Sequence, residues 1–136
     1  MKSMTIKSFY GDYDVWMDEV IDYDRVVERG DIAIVDRNII RLYESELNGV
    51  LTNDNSIIID ATERQKSYEG IIPVINELIS RGFHKNNKLI AIGGGITQDV
   101  VAFIASVLYR GVKWELIPTT LLAQCDSCIG SKTSIN

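Results

Sequence analysis

Four short runs along the chain are apolar at nearly every position: "IAIV" (32–35), "SIIID" (56–60), "LIAIG" (89–93) and "WELIP" (114–118). A strand with one face in water alternates apolar and polar residues. Near-continuous apolar runs instead predict strands covered on both faces, as in a parallel sheet. Between the runs the period changes. In "QKSYEGIIPVINELISRG" (65–82), Tyr68, Ile71, Ile72, Ile75, Leu78 and Ile79 recur at spacings of three and four, which predicts a helix with one apolar stripe. Pro73 falls inside that stretch and predicts a kink or a later helix start, and Gly82 supplies a C-terminal stop. Residues 97–109 include "DVVAFIASVLY", apolar almost all round, so that helix is expected to be buried. A further helix is expected over "NIIRLYESEL" (38–47).

Strands alternating with helices imply right-handed crossovers and a Rossmann-like α/β fold, a mostly parallel sheet flanked by helices. The first thirty residues, with aromatics spread through "SFYGDYDVWM", read as an N-terminal strand or hairpin on the sheet's edge. No repeat, low-complexity tract or linker interrupts the chain, so residues 1–136 are expected to form one domain.

The stretch "LIAIGGGITQD" (89–99) draws the chemistry. Directly after a buried strand, Gly93, Gly94 and Gly95 let the backbone turn sharply with no side chains in the way. A helix beginning near Thr97 would aim its free N–H groups and positive dipole end at whatever lies over the glycines, and a pyrophosphate suits that place. Two familiar phosphate motifs are absent: GxGxxG needs glycine where Gln98 stands, and no GK[ST] follows the turn. The neighbouring strand ends add polar groups to the same rim. "VDRN" (35–38) brings Asp36 and Asn38, "PTT" (118–120) brings Thr119 and Thr120, and Asp99 sits in the first turn of the buried helix. Taken singly, Asp36 reads as a helix N-cap and the threonines as turn formers; together they read as a binding rim.

Composition narrows the field. At 46% hydrophobic and 24% charged, the 136 residues suit a globular domain with its own core. A net charge of −5 argues against a sequence-independent grip on nucleic acid. The N-terminus lacks a signal-peptide apolar core and no apolar run approaches the ~20 residues that cross a bilayer, so no membrane partner and a cytoplasmic location are expected. Cys125 and Cys128 form a lone CxxC, read as two small, partly buried thiols. Half a zinc site would need two further ligands, and the one histidine, His84, stands in the turn-like "RGFHKNN".

From Gly93 to Asn136, about a third of the chain, "GGGITQDVVAFIASVLYRGVKWELIPTTLLAQCDSCIGSKTSIN" closely resembles the 3-dehydroquinate synthase family, within the sugar phosphate cyclases. Weaker resemblance extends upstream to "VDRN" and "ATERQK". The resemblance implies an enzyme that uses NAD and a divalent metal, zinc or cobalt, with a Rossmann-like N-terminal domain and a helical, metal-binding C-terminal domain. It implies Asp36 and Asn38 near the adenosine end of NAD, and Glu63 with Lys66 at its ribose. It further implies Gly94, Gly95 and Asp99 along the pyrophosphate and nicotinamide, with Thr119 and Thr120 beside them. Asp126 would bind substrate hydroxyls, and Lys132 would meet the substrate's anionic group and the cofactor pocket. Arg110 would reach the phosphate from the neighbouring subunit of a homodimer, where a fork of guanidinium donors matches the anion. Without the resemblance, Arg110 reads as a cation at a helix C-terminus and Lys66 and Lys132 as solvated lysines.

Three positions depart from the family pattern: Gln98 stands for a glycine, Cys128 for a serine and Ser131 for a glycine. They leave the substrate open between the seven-carbon sugar-acid phosphate of the shikimate pathway, the leading reading, and another such as sedoheptulose 7-phosphate. The family's metal ligands, a glutamate and two histidines, cannot be assembled from this chain. It therefore reads as the N-terminal, nucleotide-binding half of such a cyclase, inactive alone. Two other readings stay open, an iron-dependent alcohol or glycerol dehydrogenase, against which "PTTLLAQCDSCIGSKT" speaks, and a stand-alone nucleotide-binding module without catalysis.

Overall fold

In the computed structural model, which describes residues 2–9, 11–17 and 26–124, an N-terminal hairpin of β1 (Lys2–Ile6) and β2 (Tyr13–Met17) precedes the α/β layer. The hairpin was expected, but not its placement. β1 and β2 pair antiparallel, Lys2 opposite Met17 through Ile6 opposite Tyr13, as a two-stranded sheet of their own. Polar contacts on the hairpin itself hold it: Thr5 Oγ1 donates to Asp14 Oδ1 at 2.7 Å, and Lys7 Nζ pairs with Asp12 Oδ2 at 2.7 Å. It does not extend the edge of the main sheet.

The main sheet consists of β3 (Ile32–Asp36), β4 (Ser56–Ile59), β5 (Lys88–Gly93) and β6 (Lys113–Pro118), all parallel, in the order β4-β3-β5-β6. These are the four apolar runs, each within a residue or so of its expected span. β3 and β5 form the centre, and Ala33, Ile34, Val35, Leu89, Ile90, Ala91 and Ile92 are fully buried. Burying an isoleucine or leucine side chain contributes roughly 1.5–3 kcal/mol.

The two faces of the sheet are covered by different helices. β3 is followed by α1 (Arg37–Leu42) and α2 (Glu44–Leu47), which bring Ile39 and Leu47 onto Ala33, Val35, Ile90, Ile92 and Ile117. On the other face, α3 (Tyr68–Ser80) and α4 (Gly95–Val107) bring Ile71, Val74, Leu78, Val100, Val101 and Ile104 onto Ile32, Ile34, Ile57, Ile59, Leu89 and Ala91. Alternate residues of β3 and β5 thus point into opposite cores, which is why neither strand could carry a polar residue mid-run.

Three local expectations change. The helix expected over residues 38–47 breaks at Tyr43, whose φ −121° and ψ 35° leave the α region. In α3 the buried ridge is Ile71, Val74 and Leu78, with Ile75 partly buried, whereas Tyr68, Ile72 and Ile79 are exposed. The side of α3 that meets the sheet is a narrow ridge, and Ile72 and Ile79 lie one residue, about 100°, around from it. The helix runs through Pro73, which is exposed, so water can take the carbonyl that its missing N–H leaves unpaired. The glycine-turn helix begins at Gly95, two residues earlier than Thr97, with Gly94 as its cap.

Candidate binding site at the strand tips

Sheet order decides where a ligand can settle. After β3 the chain moves outward to β4, then returns across β3 to β5 and continues to β6. The direction of winding reverses between β3 and β5, and a crevice opens at such a reversal beyond the carboxyl ends of the strands. Val35 pairs with Ile92 and Gly93 with Pro118, so Asp36, the glycine turn and Thr119 leave the sheet at one level.

The turn is tightly built. A Cβ on Gly93 would lie 2.6 Å from Thr97 Oγ1 and 2.7 Å from Thr97 Cβ; one on Gly94 would lie 3.1 Å from Thr120 Cγ2. Thr119 N–H donates to the Gly93 carbonyl at 3.0 Å, fastening the end of β6 to the turn. Thr120 caps the segment after β6, its Oγ1 accepting from Ala123 N at 3.2 Å. Gly94 offers α4 no side-chain cap, so the first-turn N–H groups face the crevice without a capping oxygen. Beside them, Thr97 Oγ1 and Thr119 Oγ1 are buried with no hydrogen-bond partner among the described residues. Buried unpaired hydroxyls are uncommon and costly. An uncapped thirteen-residue helix and two orphaned hydroxyls at one switch point fit a phosphate-bearing ligand.

A second element reaches the rim from the loop after β4. Lys66 Nζ pairs with Asp99 Oδ2 at 2.9 Å, joining that loop to the second turn of α4. Both side chains are largely covered, 17% and 27% exposed. The hydrogen bond that Lys66 donates to Asp99 raises the lysine above its ordinary range, with further help from the Asp99 and Glu63 charges, while burial pulls the other way. The loop is shaped by local bonds. Lys66 N donates to Glu63 O at 3.1 Å, Gln65 Nε2 donates to Gly70 O at 2.5 Å, and Ser67 caps α3 through Gly70 N at 3.2 Å. Glu63 itself is exposed.

On the other side of the crevice, Asp36 accepts from Asn38 N at 2.9 Å and caps α1. Asn38 is exposed, 3.5 Å from Arg41 through its Oδ1. Arg37 Nε pairs with Asp60 Oδ1 at 2.7 Å, tying the ends of β3 and β4 together. The sequence marks Arg37 with no signal and Thr97 only as the expected helix start, and the place of Thr97 beneath Gly93 depends on the helix beginning at Gly95.

The structure thus gathers Asp36, Asn38, Lys66, Gly94, Gly95, Asp99, Thr119 and Thr120 around one end of the sheet, with Glu63 in the adjoining loop. Arg110 is not among them. It follows the C-terminal end of α4, and thirteen residues at ~1.5 Å each put it ~20 Å from the glycine turn. Asp126 and Lys132 lie outside the described residues, as do Cys125, Cys128 and Ser131.

A family model described as 3-dehydroquinate synthase N-terminal matches residues 56–136. The chain belongs to this family. The 3-dehydroquinate synthase of Picrophilus torridus is 43% identical over 107 residues, covering 79% of this chain and 30% of that protein. The one from Francisella tularensis is 30% identical over 137 residues, covering 95% of this chain and 38% of that protein. The chain therefore spans about a third of the length of the curated relatives it matches. Among solved structures, 2-deoxy-scyllo-inosose synthase complexed with carbaglucose-6-phosphate, NAD+ and Co2+ aligns with a TM-score of 0.77. That match covers 99% of this chain and 40% of that one, and at 23% identity it speaks for the fold alone. A 2-epi-5-epi-valiolone synthase from Streptomyces hygroscopicus with NAD+ and Zn2+ bound is 30% identical, with a TM-score of 0.68 over 78% of this chain and 31% of that one. No helix of the described residues is long and apolar enough to cross a membrane.

Proposed function

We propose that the chain is the NAD-binding N-terminal domain of a sugar phosphate cyclase, with 3-dehydroquinate synthase as the leading activity of the whole protein. The observation that carries this reading is the uncapped start of α4 at the β3/β5 switch point, flanked by the Thr97 and Thr119 hydroxyls, which have no partner among the described residues. Family membership and the valiolone synthase structure with bound NAD+ support it.

The first-turn N–H groups of α4 take the cofactor's diphosphate, and the bare backbone of Gly94 and Gly95 lets it approach. Asp36 and Asn38 serve the adenosine end, and Glu63 with Lys66 the ribose. Asp99 holds Lys66 at the rim, and Thr119 and Thr120 close the nicotinamide side. NAD supplies a hydride acceptor that is restored within each turnover. The protein's share is to bind, orient and exclude water. Asp126 binds substrate hydroxyls, and Lys132 binds the anionic group. Arg110, too far from its own glycine turn, serves the phosphate in a neighbouring copy of a homodimer. The divalent metal is held by a glutamate and two histidines belonging to the C-terminal domain of the whole protein, so residues 1–136 alone bind cofactor without turning over substrate.

The test is calorimetric titration of the full-length protein with NAD, followed by product identification with the seven-carbon sugar-acid phosphate against sedoheptulose 7-phosphate. Stoichiometric uptake and phosphate release from the first substrate are expected. Absence of NAD uptake overturns the cofactor reading, and turnover of sedoheptulose 7-phosphate alone moves the activity to a sister cyclase. Robust phosphate release by residues 1–136 with NAD and zinc would refute the division of labour.

A further inference from the structure

A turn of left-handed backbone lies at the far end of α4 from the proposed cofactor site. Tyr109 (φ 51°) and Arg110 (φ 66°) are the non-glycine residues with positive φ among those described, and Gly111 (φ 104°) makes three in a row. Side chains disfavour this region, and adjacent non-glycine residues persist there only where the surroundings hold them. Here the brace comes from the segment before β5. Lys85 Nζ donates to the carbonyls of Tyr109 and Gly111, each at 2.9 Å, one on either side of Arg110. Tyr109 Oη donates to the Phe83 carbonyl at 2.8 Å, and Phe83 is buried. Val112 N returns to Ala105 O at 2.8 Å and closes the loop onto α4. Arg110, between the two braced carbonyls, is exposed, and its guanidinium has no recorded ion pair or hydrogen bond among the described residues.

A strained turn fastened on both flanks around an arginine without partners among the described residues is arranged to present that arginine. Resting on the cyclase reading, we propose that Lys85 is a positioning residue: its two carbonyl contacts hold Arg110 in the left-handed conformation that offers its guanidinium to a phosphate group of the substrate. Lysine suits the task because a single ammonium can donate to two carbonyls at once, and its charge also favours the C-terminal end of α4. Without it the Arg110 backbone can relax, and the guanidinium loses its fixed direction while keeping its charge.

The experiment uses the full-length protein and four variants, Lys85→Met, Lys85→Arg, Arg110→Met and the Lys85→Met/Arg110→Met double. For each, KM and kcat for the sugar phosphate, inhibition by inorganic phosphate and NAD affinity are measured. Lys85→Met is expected to raise KM and weaken phosphate inhibition about tenfold, with NAD affinity unchanged. Lys85→Arg should recover most of the loss, and the double variant should be no worse than Arg110→Met. Unchanged phosphate inhibition in Lys85→Met, or losses that simply multiply in the double variant, overturns the proposal. So does an Arg110→Met enzyme with normal phosphate inhibition. NAD titration of the wild type separates these outcomes from a failure of the cofactor reading, because no Lys85 result bears on it.

Discussion

Lys66 and Asp99, thirty-three positions apart, are joined by a 2.9 Å ion pair that fixes the loop after β4 to the second turn of α4. The pair puts a cation at the rim of the proposed cofactor site and at the same time neutralises the acid in the second turn of α4. Removing the lysine should do double harm, because the Asp99 carboxylate is then left uncompensated beside an incoming anion. Lys66→Met is therefore expected to weaken NAD binding by a factor of ten or more, about 1.4 kcal/mol. Lys66→Arg should keep part of it. Titration calorimetry with NAD checks this, and unaltered affinity in Lys66→Met would remove Lys66 from the site.

The same pair sets a pH dependence. The folded-state pKa of Lys66 is raised above its ordinary 10.5, chiefly by the Asp99 hydrogen bond. A raised lysine pKa means the charged form stabilises the fold. That stabilisation is fully present below the unfolded value and is lost as pH climbs through the folded one. The stability difference between wild type and Lys66→Met, from urea unfolding, should thus be flat across neutral pH and shrink only above 10.5. A difference that shrinks near neutrality would mean that another group governs it.

The centre of the sheet was legible in the sequence because β3 and β5 are buried on both faces and so show unbroken apolar runs. The outer strands are only partly covered, with Ile58 of β4 and Trp114 of β6 exposed. The glycine turn was legible because three consecutive glycines follow an apolar run, and at Gly93 a Cβ would collide with Thr97. Less could be read where packing in space decides. Nothing in the sequence distinguishes Ile71 from Ile72 as the core-facing residue of α3; only the angle at which the helix meets the sheet does. The Lys66–Asp99 pair needs β4 and β5 to end at the same edge of the sheet, on either side of β3, before the two residues become neighbours. The φ of Arg110 depends on Lys85, twenty-five positions away, and Tyr43 breaks a helix whose local pattern continues unbroken.

Gly93 tests the turn's packing. Alanine there would set a Cβ 2.6 Å from Thr97 Oγ1, and the fold is expected to lose about 2–3 kcal/mol, in the range of an overpacked core. Thr97→Ala should not rescue it, because Thr97 Cβ itself lies 2.7 Å from the added atom, whereas Thr97→Gly removes both clashing atoms. Thermal unfolding of the two double variants separates them. Recovery with alanine would mean that the turn moves instead.

Gly70 plays the corresponding part for the loop. A Cβ there would meet Gln65 O at 2.5 Å and Arg64 O at 2.7 Å, both in the segment that carries Glu63 and Lys66. Gly70→Ala should push that segment off α3, lowering stability by about 1–3 kcal/mol and weakening NAD binding with it. The joint loss is the signature. A variant that loses stability with intact cofactor affinity would detach the loop from the site.

Thr119 distinguishes a ligand site from a packing defect. Its Oγ1 is buried with no partner among the described residues, while its backbone N–H holds Gly93. Valine keeps the shape and the backbone bond but removes the hydroxyl. If that hydroxyl waits for a ligand, Thr119→Val should leave the unliganded protein equally stable or stabilise it by about 1 kcal/mol, since an unsatisfied buried group disappears. With NAD the sign reverses. The variant should bind several-fold more weakly, and its gain in melting temperature on adding NAD should fall below that of the wild type. A hydroxyl with a purely structural role predicts the opposite: lower stability without ligand and an unchanged shift with it.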